Sequence, residues 1–445
     1  MVILTGSASL KSFSILTVPV VCWRYLFDNK VIKLTINRRL IRVNYNQIYG
    51  FIIQLRLFSV GINMRINQIT YYDHELEWQF EPIHFSELNL LVGISGVGKT
   101  QILTSIMNLR KIARGGSLNG VEWDIDFSSN NYKYKWTGEF ETKEVDAFMI
   151  DDKDAEKNKF RINREHLSVN GKVIIERNNH EIVFNGNKLP KLSPFESAVK
   201  ILSEEEDIAP VKDGFNKVIY SDQSRGENSV FVYDIIQSLT ISPKSLAKKY
   251  YSLEEIQESN LPTQIKLALV YNHYPETFQE IKQLFTDIFD QVEDIRMEPD
   301  KDKDLPKMIA DYPFINIKEK GVNNWIIQQR ISSGMFRTLM HISELYLSTE
   351  GTVILIDEFE NSLGVNCIDI LSDLLLENRK LQFIITSHHP YIINKIGMEH
   401  WKIVTRRGGV VTVKNAKDYN LGKSRHEAFM QLINLEAFKE GIAVG

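Results

Sequence analysis

The stretch LLVGISGVGKTQIL, residues 90 to 103, constrains this chain more than any other. An apolar run passes into a glycine-rich loop fitting G-x-x-x-x-G-K-[ST], and an amphipathic helical pattern follows. Glycines let the backbone turn successive N–H groups inward as an anion-binding nest, and the helix N-terminus adds its partial positive charge. Gly93, Ser95, Gly96, Val97, Gly98, Lys99 and Thr100 are therefore the expected nucleotide-binding residues. Lys99 is expected to reach the β- and γ-phosphates, and the Thr100 hydroxyl to ligate Mg²⁺.

Such a loop needs an acidic partner at the end of a neighbouring strand. Val353 to Ile356 form a wholly apolar run, the pattern of a parallel strand buried on both faces, and Asp357 and Glu358 follow it. Ligands of such sheets bind at the carboxyl ends of the strands. Asp357 is placed to support Mg²⁺ directly or through water, and Glu358 to polarise an attacking water as general base. Two further segments fall into order with these. ISSGMFRTLMHISELYL (331 to 347) opens with small polar residues and continues as an amphipathic helix, so Ser332, Ser333 and Gly334 would offer free N–H groups to an anion. LQFIITSHHPYII (381 to 393) is a second buried strand, ending at His388 and His389, where an imidazole can sense a γ-phosphate.

The rest of the chain bounds the reading. Its 445 residues allow two or three domains, and two cysteines, Cys22 and Cys367, suit a reducing cytoplasm better than a disulfide framework. The net charge of −4 conceals an asymmetry: residues 1 to 63 carry eight basic residues and one acidic residue, +7, which leaves −4 − 7 = −11 for the remainder. An acidic body gives no electrostatic footprint for nucleic acid, although a local patch could exist. The apolar run FSILTVPVVCWRYLF is short and interrupted by Arg24, which argues against a membrane span. Met64 opens a clean globular pattern and reads as the biological start, residues 1 to 63 being translated from upstream sequence. The alternative is a basic extension that packs somewhere.

Residues 121 to 190 alternate with period two, which predicts an antiparallel meander. The helix after the phosphate loop is expected to bury Ile102, Ile106, Leu109 and Ala113 and to stop at Gly115-Gly116. Residues 228 to 295 read as mainly helical, with Phe278, Ile281, Phe285, Ile288, Phe289 and Val292 on one core-facing stripe. The expected divisions are 1–63, a basic extension; 64–222, the first part of the nucleotide-binding domain with the meander; 223–309, a helical insertion; and 310–445, the second part. The fold class expected is α/β, a P-loop NTPase with an antiparallel β subdomain and an inserted helical subdomain.

The ordered motifs resemble an ABC-type ATPase head of the SMC/RecF-like group, which includes OLD-like and related bacterial antiphage ATPases. GISGVGKT stands as Walker A, ILIDE as Walker B, ISSGM in the place of the LSGGQ signature and TSHHP as the switch-histidine loop. The likeness spans about residues 64 to 222 and 310 to 415. It implies that ATP and Mg²⁺ are the cofactors, that Glu358, His388 and Lys99 are catalytic, with His389 second to His388, and that Thr100 and Asp357 serve the metal. It further implies that Ser332 and Gly334 contact the γ-phosphate of ATP held by an opposite subunit, with Asn361-Ser362-Leu363 in the D-loop place. Ser333 and Met335 depart from the signature's first glycine and its glutamine, and Gln223 is the candidate Q-loop residue.

By this resemblance ATP drives a homodimer, or a higher homo-oligomer, between open and closed states. The tail after His389 reads as too short for the TOPRIM nuclease domain of some relatives. The expected role is an ATPase gating a separately encoded effector in antiphage defence. The alternatives are a DNA-repair ATPase that clamps DNA and, third, a transporter subunit; no membrane is expected as partner.

Overall fold

The computed structural model describes the backbone of three short strands between residues 27 and 44, and residues 63–144, 159–221, 250, 252–299, 313–378, 380–422 and 424–442. Gln223 and Cys22 lie outside the described residues. The chain divides into two compact units, Met1–Val60 and Gly61–Gly445. In the first, β1 (Phe27–Asp28), β2 (Val31–Ile36) and β3 (Arg39–Asn44) pair in antiparallel order.

The second unit is built on one 14-stranded sheet. Strands β4 (Arg65–Asp73), β5 (Trp78–His84) and β6 (Leu88–Val92) lead into helix α1 (Lys99–Ala113). The meander follows as β7 (Val121–Ser129), β8 (Tyr132–Phe140), β9 (Ile162–Val169), β10 (Lys172–Arg177), β11 (Ile182–Phe184) and β12 (Asn187–Lys188), every neighbouring pair antiparallel. Strict alternation of buried and half-buried residues along β7 shows why period two was visible there. Then come β13 (Val218–Tyr220) and helices α2 (Thr263–His273) and α3 (Pro275–Ile288). The expected stripe breaks at the end of α3: Phe278, Ile281, Phe285 and Ile288 are its buried face, but Val292 opens a strand, β14 (Val292–Pro299). That strand pairs with β15 (Pro313–Glu319), and β15 with β16 (Trp325–Ile327), in a separate antiparallel sheet.

Helix α4 (Ser333–Tyr346), β17 (Val353–Ile356), helix α5 (Val365–Glu377), β18 (Gln382–Thr386), β19 (Trp401–Arg407) and β20 (Val410–Asn415) complete the unit. One end of the large sheet runs β20-β19-β6-β18-β17-β13, parallel from β19 to the edge strand β13. Every residue of β6, β17 and β18 is buried, and alternate residues enter two cores. Leu91, Leu355 and Ile384 pack with Ile102, Ile106 and Leu109 of α1; Leu90, Ile354 and Phe383 pack with Leu339 and Ile342 of α4 on the other face. Burying each such side chain contributes about 1.5–3 kcal/mol, so the ends of the central strands are fixed relative to both helices. Helix α1 stops as expected: the N–H of Gly115, at φ 94°, donates to Ile112 O, and that of Gly116 to Lys111 O. No helix among the described residues is long and apolar enough to cross a membrane.

Candidate functional site

The loop after β6 and the carboxyl ends of β17, β18 and β19 enclose a cavity of about 300 Å³. Ser95, Gly96, Gly98, Lys99, Thr100 and Gln101 line it from the loop and α1, Asp357 and Glu358 from β17, Thr386 and His388 from β18, and Arg406 from β19.

Each loop glycine has its own reason. A side chain at Gly93 would meet the carbonyl oxygen of Val404 at 2.6 Å, so the loop can leave β6 against β19 only without a Cβ. Gly98 has φ 105°, and a Cβ there would meet Val411 of β20 at 2.9 Å. Gly96, at φ 84°, faces open space, the side on which a phosphate would be cradled. Val97 turns its side chain into the core. Gly93 and Val97 are thus held at the back of the loop, while Ser95, Gly96, Gly98, Lys99 and Thr100 face the cavity.

Lys99 is buried, and its Nζ donates to Gly93 O at 2.8 Å and Ile94 O at 2.9 Å. Burial lowers its pKa, and the carboxylates of Asp357, Glu360 and Glu358 oppose that shift. A desolvated ammonium whose hydrogen bonds go to neutral carbonyls has charge to offer a phosphate, while the nearby carboxylates call for a cation to offset them.

Asp357 is the hub of the opposite wall. Its Oδ2 accepts from Thr100 Oγ1 at 2.8 Å and from the Tyr220 hydroxyl at 3.5 Å, and its Oδ1 from Thr386 Oγ1 at 2.5 Å. Two oxygens on adjacent vertices of a Mg²⁺ octahedron with 2.0–2.1 Å bonds stand about 2.9 Å apart. The Thr100–Asp357 pair therefore fits Mg²⁺, an oxygen-seeking ion that takes few protein ligands and completes its shell with phosphate and water.

Glu358 is exposed and has φ 45°, in the left-handed region that a β-carbon disfavours. Its N–H donates to Thr386 Oγ1 at 2.8 Å, and the next N–H, of Phe359, to Thr386 O at 3.1 Å. Holding a non-glycine residue there costs about 1–3 kcal/mol, and the two bonds to one threonine fix it. The turn presents the Glu358 carboxylate to the cavity while Phe359 goes to the core.

The structure separates the two histidines. His388 lines the cavity, its N–H donating to Glu360 Oε1 at 3.0 Å and its Nδ1 lying 3.4 Å from the same oxygen. The Nδ1 of His389 instead accepts from Tyr391 N at 3.2 Å and caps the helix Pro390–Lys395. Ser332 and Gly334 do not line the cavity of their own chain. Ser332 caps α4, its Oγ accepting from Met335 N at 3.2 Å. A Cβ on Gly334 would meet Ser362 O at 2.6 Å, and Arg337 Nη1 donates to Asn361 O at 2.6 Å. The segment at 332–334 and the Asn361-Ser362-Leu363 segment are therefore one packed surface, on which Ser332 and Ser333 are exposed.

Four contributors went unassigned from sequence. Thr386 stands in the quoted TSHHP but bears its role through two contacts only a fold reveals. Glu360 lies two residues beyond Glu358, a spacing that could have suggested it. Gln101 and Arg406 carried no signal, since the second reaches the site only through the placing of β19 beside β6.

A family profile described as "AAA domain, putative AbiEii toxin, Type IV TA system" matches residues 88–394, more than half of the chain. No curated protein matches it. Solved structures resembling it include an SMC head bound to the C-winged helix domain of ScpA (14% identity, 78% of this chain and 97% of that one, TM-score 0.41). Others are the SMC head domain from Thermotoga maritima (15%, 79% and 98%, 0.39) and a Smc head with an extended coiled coil bound to the C-terminal domain of ScpA, derived from Pyrococcus furiosus (13%, 80% and 98%, 0.42). The matched span opens at the phosphate-loop strand and closes just beyond the histidine loop, and the chain belongs to this AAA-domain family.

Proposed function

We propose that the chain binds ATP with Mg²⁺ and hydrolyses it, and that closing and opening of two copies around the nucleotide gates a separately encoded effector. The observation that carries hydrolysis is Glu358, pinned in a strained turn on the cavity wall with Asp357 beside it. Backbone strain of this kind clusters at functional sites.

The phosphates would lie across the N–H groups from Gly96 to Thr100, with Lys99 released from its loop carbonyls to the β- and γ-oxygens. Mg²⁺, held by Thr100 and Asp357, would neutralise developing charge on those oxygens. Glu358 would accept the proton of the attacking water, and His388, steadied by Glu360, would hydrogen-bond the γ-phosphate. Positioning and electrostatics supply the catalysis, with no covalent intermediate on the protein.

Support for a two-copy site comes from the paired Gly334–Ser362 surface, whose exposed Ser332 and Ser333 lie apart from the chain's own cavity. The family description, "putative AbiEii toxin, Type IV TA system", agrees with a defence-type role for the chain. The test is the steady-state ATPase rate of the whole chain, with and without linear duplex DNA, using Lys99→Ala as the blank. Hydrolysis indifferent to DNA supports a protein effector; strong stimulation by DNA would replace that reading with a DNA clamp; a rate equal to the blank would remove hydrolysis altogether.

A further inference from the structure

The cavity has an asymmetry that the motifs do not account for. Apart from the phosphate loop and the start of α1, its acids Asp357 and Glu358 and its histidine His388 come from the ends of β17 and β18, on one side of β6. From the other side, β19, it receives only Arg406. A nucleotide whose γ-phosphate lies at Glu358 and His388 must run its α-phosphate and nucleoside toward β19.

Arg406 is built to remain at that place. Its backbone N–H donates to Gly441 O at 2.7 Å, and its Nε to Gly408 O at 2.7 Å. Gly441 is wedged against the phosphate loop, where a Cβ would meet Val97 at 2.7 Å and Ile94 at 2.8 Å. The guanidinium has five N–H donors, and four are uncommitted among the described residues. No carboxylate of those residues forms an ion pair with it, whereas Arg65 is paired with Glu87 and Arg164 with Glu139. A half-buried guanidinium with free donors beside an anion nest matches the planar face of a phosphate.

We propose that Arg406 is a nucleotide-binding residue that contacts the α-phosphate end of the bound nucleotide, an inference that rests on the ATP reading above. The contact would be made to ATP and ADP alike, so it would set affinity for both states of the cycle and leave the hydrolytic step to Glu358.

The test is the dissociation constant of the whole chain for Mg-ATP and for Mg-ADP, by titration calorimetry, in the wild type, Arg406→Ala and Arg406→Lys. Arg406→Ala is expected to weaken both nucleotides by about tenfold, with Arg406→Lys intermediate. Equal affinity of the variants and the wild type would overturn the inference, and so would a loss confined to ATP, which would put the guanidinium at the γ-phosphate. A wild type that binds neither nucleotide would remove the ATP reading and this inference with it. Thermal midpoints of the nucleotide-free proteins identify a misfolded alanine variant, in which case Arg406→Lys decides, a loss of about threefold or more for both nucleotides being the supporting result.

Discussion

Thr386 Oγ1 donates to Asp357 Oδ1 at 2.5 Å while accepting the N–H of Glu358 at 2.8 Å, so one buried hydroxyl sets the direction of both acids. Valine has nearly the same shape and can make neither bond. Thr386→Val should cost about 1–3 kcal/mol of stability, the penalty of leaving buried polar groups unpaired. It should lower kcat by about 10–100-fold, as loss of a group supporting metal-site ligands does. ATP affinity should change little, because the phosphate nest is untouched. Single-turnover hydrolysis beside an ATP titration checks this; a fall in affinity with unchanged kcat would mean that Thr386 serves the loop, not the acids.

Glu358→Gln keeps the size of the side chain and removes the base. Loss of a general base typically slows a reaction by 10²–10⁴-fold, so hydrolysis should nearly cease while binding persists. If two copies close on ATP, the variant should accumulate as an ATP-dependent dimer, visible as a doubled mass by light scattering. A variant that stays monomeric in saturating ATP would count against the two-copy site while leaving the hydrolytic assignment intact.

Gly334→Ala isolates the other surface. Alanine favours a helix over glycine by about 1 kcal/mol, and on an open helix it would stabilise. Here its Cβ would stand 2.6 Å from a backbone carbonyl, Ser362 O, which cannot rotate aside. Overpacking costs of about 1–3 kcal/mol exceed the helix gain, so the N-terminus of α4 should be pushed from the Asn361-Ser362-Leu363 segment. The expected outcome is intact ATP affinity in dilute protein with the concentration-dependent part of the ATPase rate lost. A rate that still climbs with protein concentration as in the wild type would take Gly334 out of the subunit contact.

Much of this was legible where local chemistry decides structure. The phosphate loop declares itself because only glycine tolerates Gly98 at φ 105° with Val411 close by, and the loop's chemistry sits within eight consecutive residues. Val353–Ile356 and Gln382–Thr386 announce burial on both faces by lacking polar alternation, and β7 announces the reverse. What could not be read depended on distant pairings. The apolar spacing from Phe278 to Val292 fits a helix and the first residue of a strand equally well, and only pairing of β14 with β15 breaks the tie. The stretch WKIVTRRGGVVTVK, residues 401 to 414, reads locally as a hairpin, yet β19 also pairs with β6 and β20 with β5, which is how Arg406 comes to the cavity. The αL turn at Glu358 depends on Thr386, 28 residues away, and no local preference would place a glutamate there.

His341 offers a prediction in pH. It lies on α4, buried, with its Nδ1 3.3 Å from Ser221 Oγ and 3.9 Å from a Glu344 oxygen. Burial, with a smaller contribution from the Arg337 charge, pushes its pKa down to about 3 from an ordinary 6.5. Between those values the unfolded chain holds a proton on His341 that the folded chain does not. Stability therefore rises with pH across this window: the contribution of neutral His341 is fully present above about pH 6.5 and is lost progressively as pH falls toward 3. Each pH unit inside the window is worth up to about 1.4 kcal/mol, so lowering pH from 6.5 to 5.5 should cost on the order of 1 kcal/mol through this residue. His341→Asn, which cannot titrate, should be less stable at neutral pH but show a shallower fall. Urea unfolding of both proteins at pH 7.5, 6.5 and 5.5 measures the two slopes. Parallel slopes would mean that His341 takes up its proton in the folded state, with Glu344 beside it as the acceptor of the new charge. Because α4 is capped by Ser332 and carries Gly334 in its first turn, the same acidification should loosen that helix end, and ATP-dependent pairing of the two copies should weaken over the same pH range.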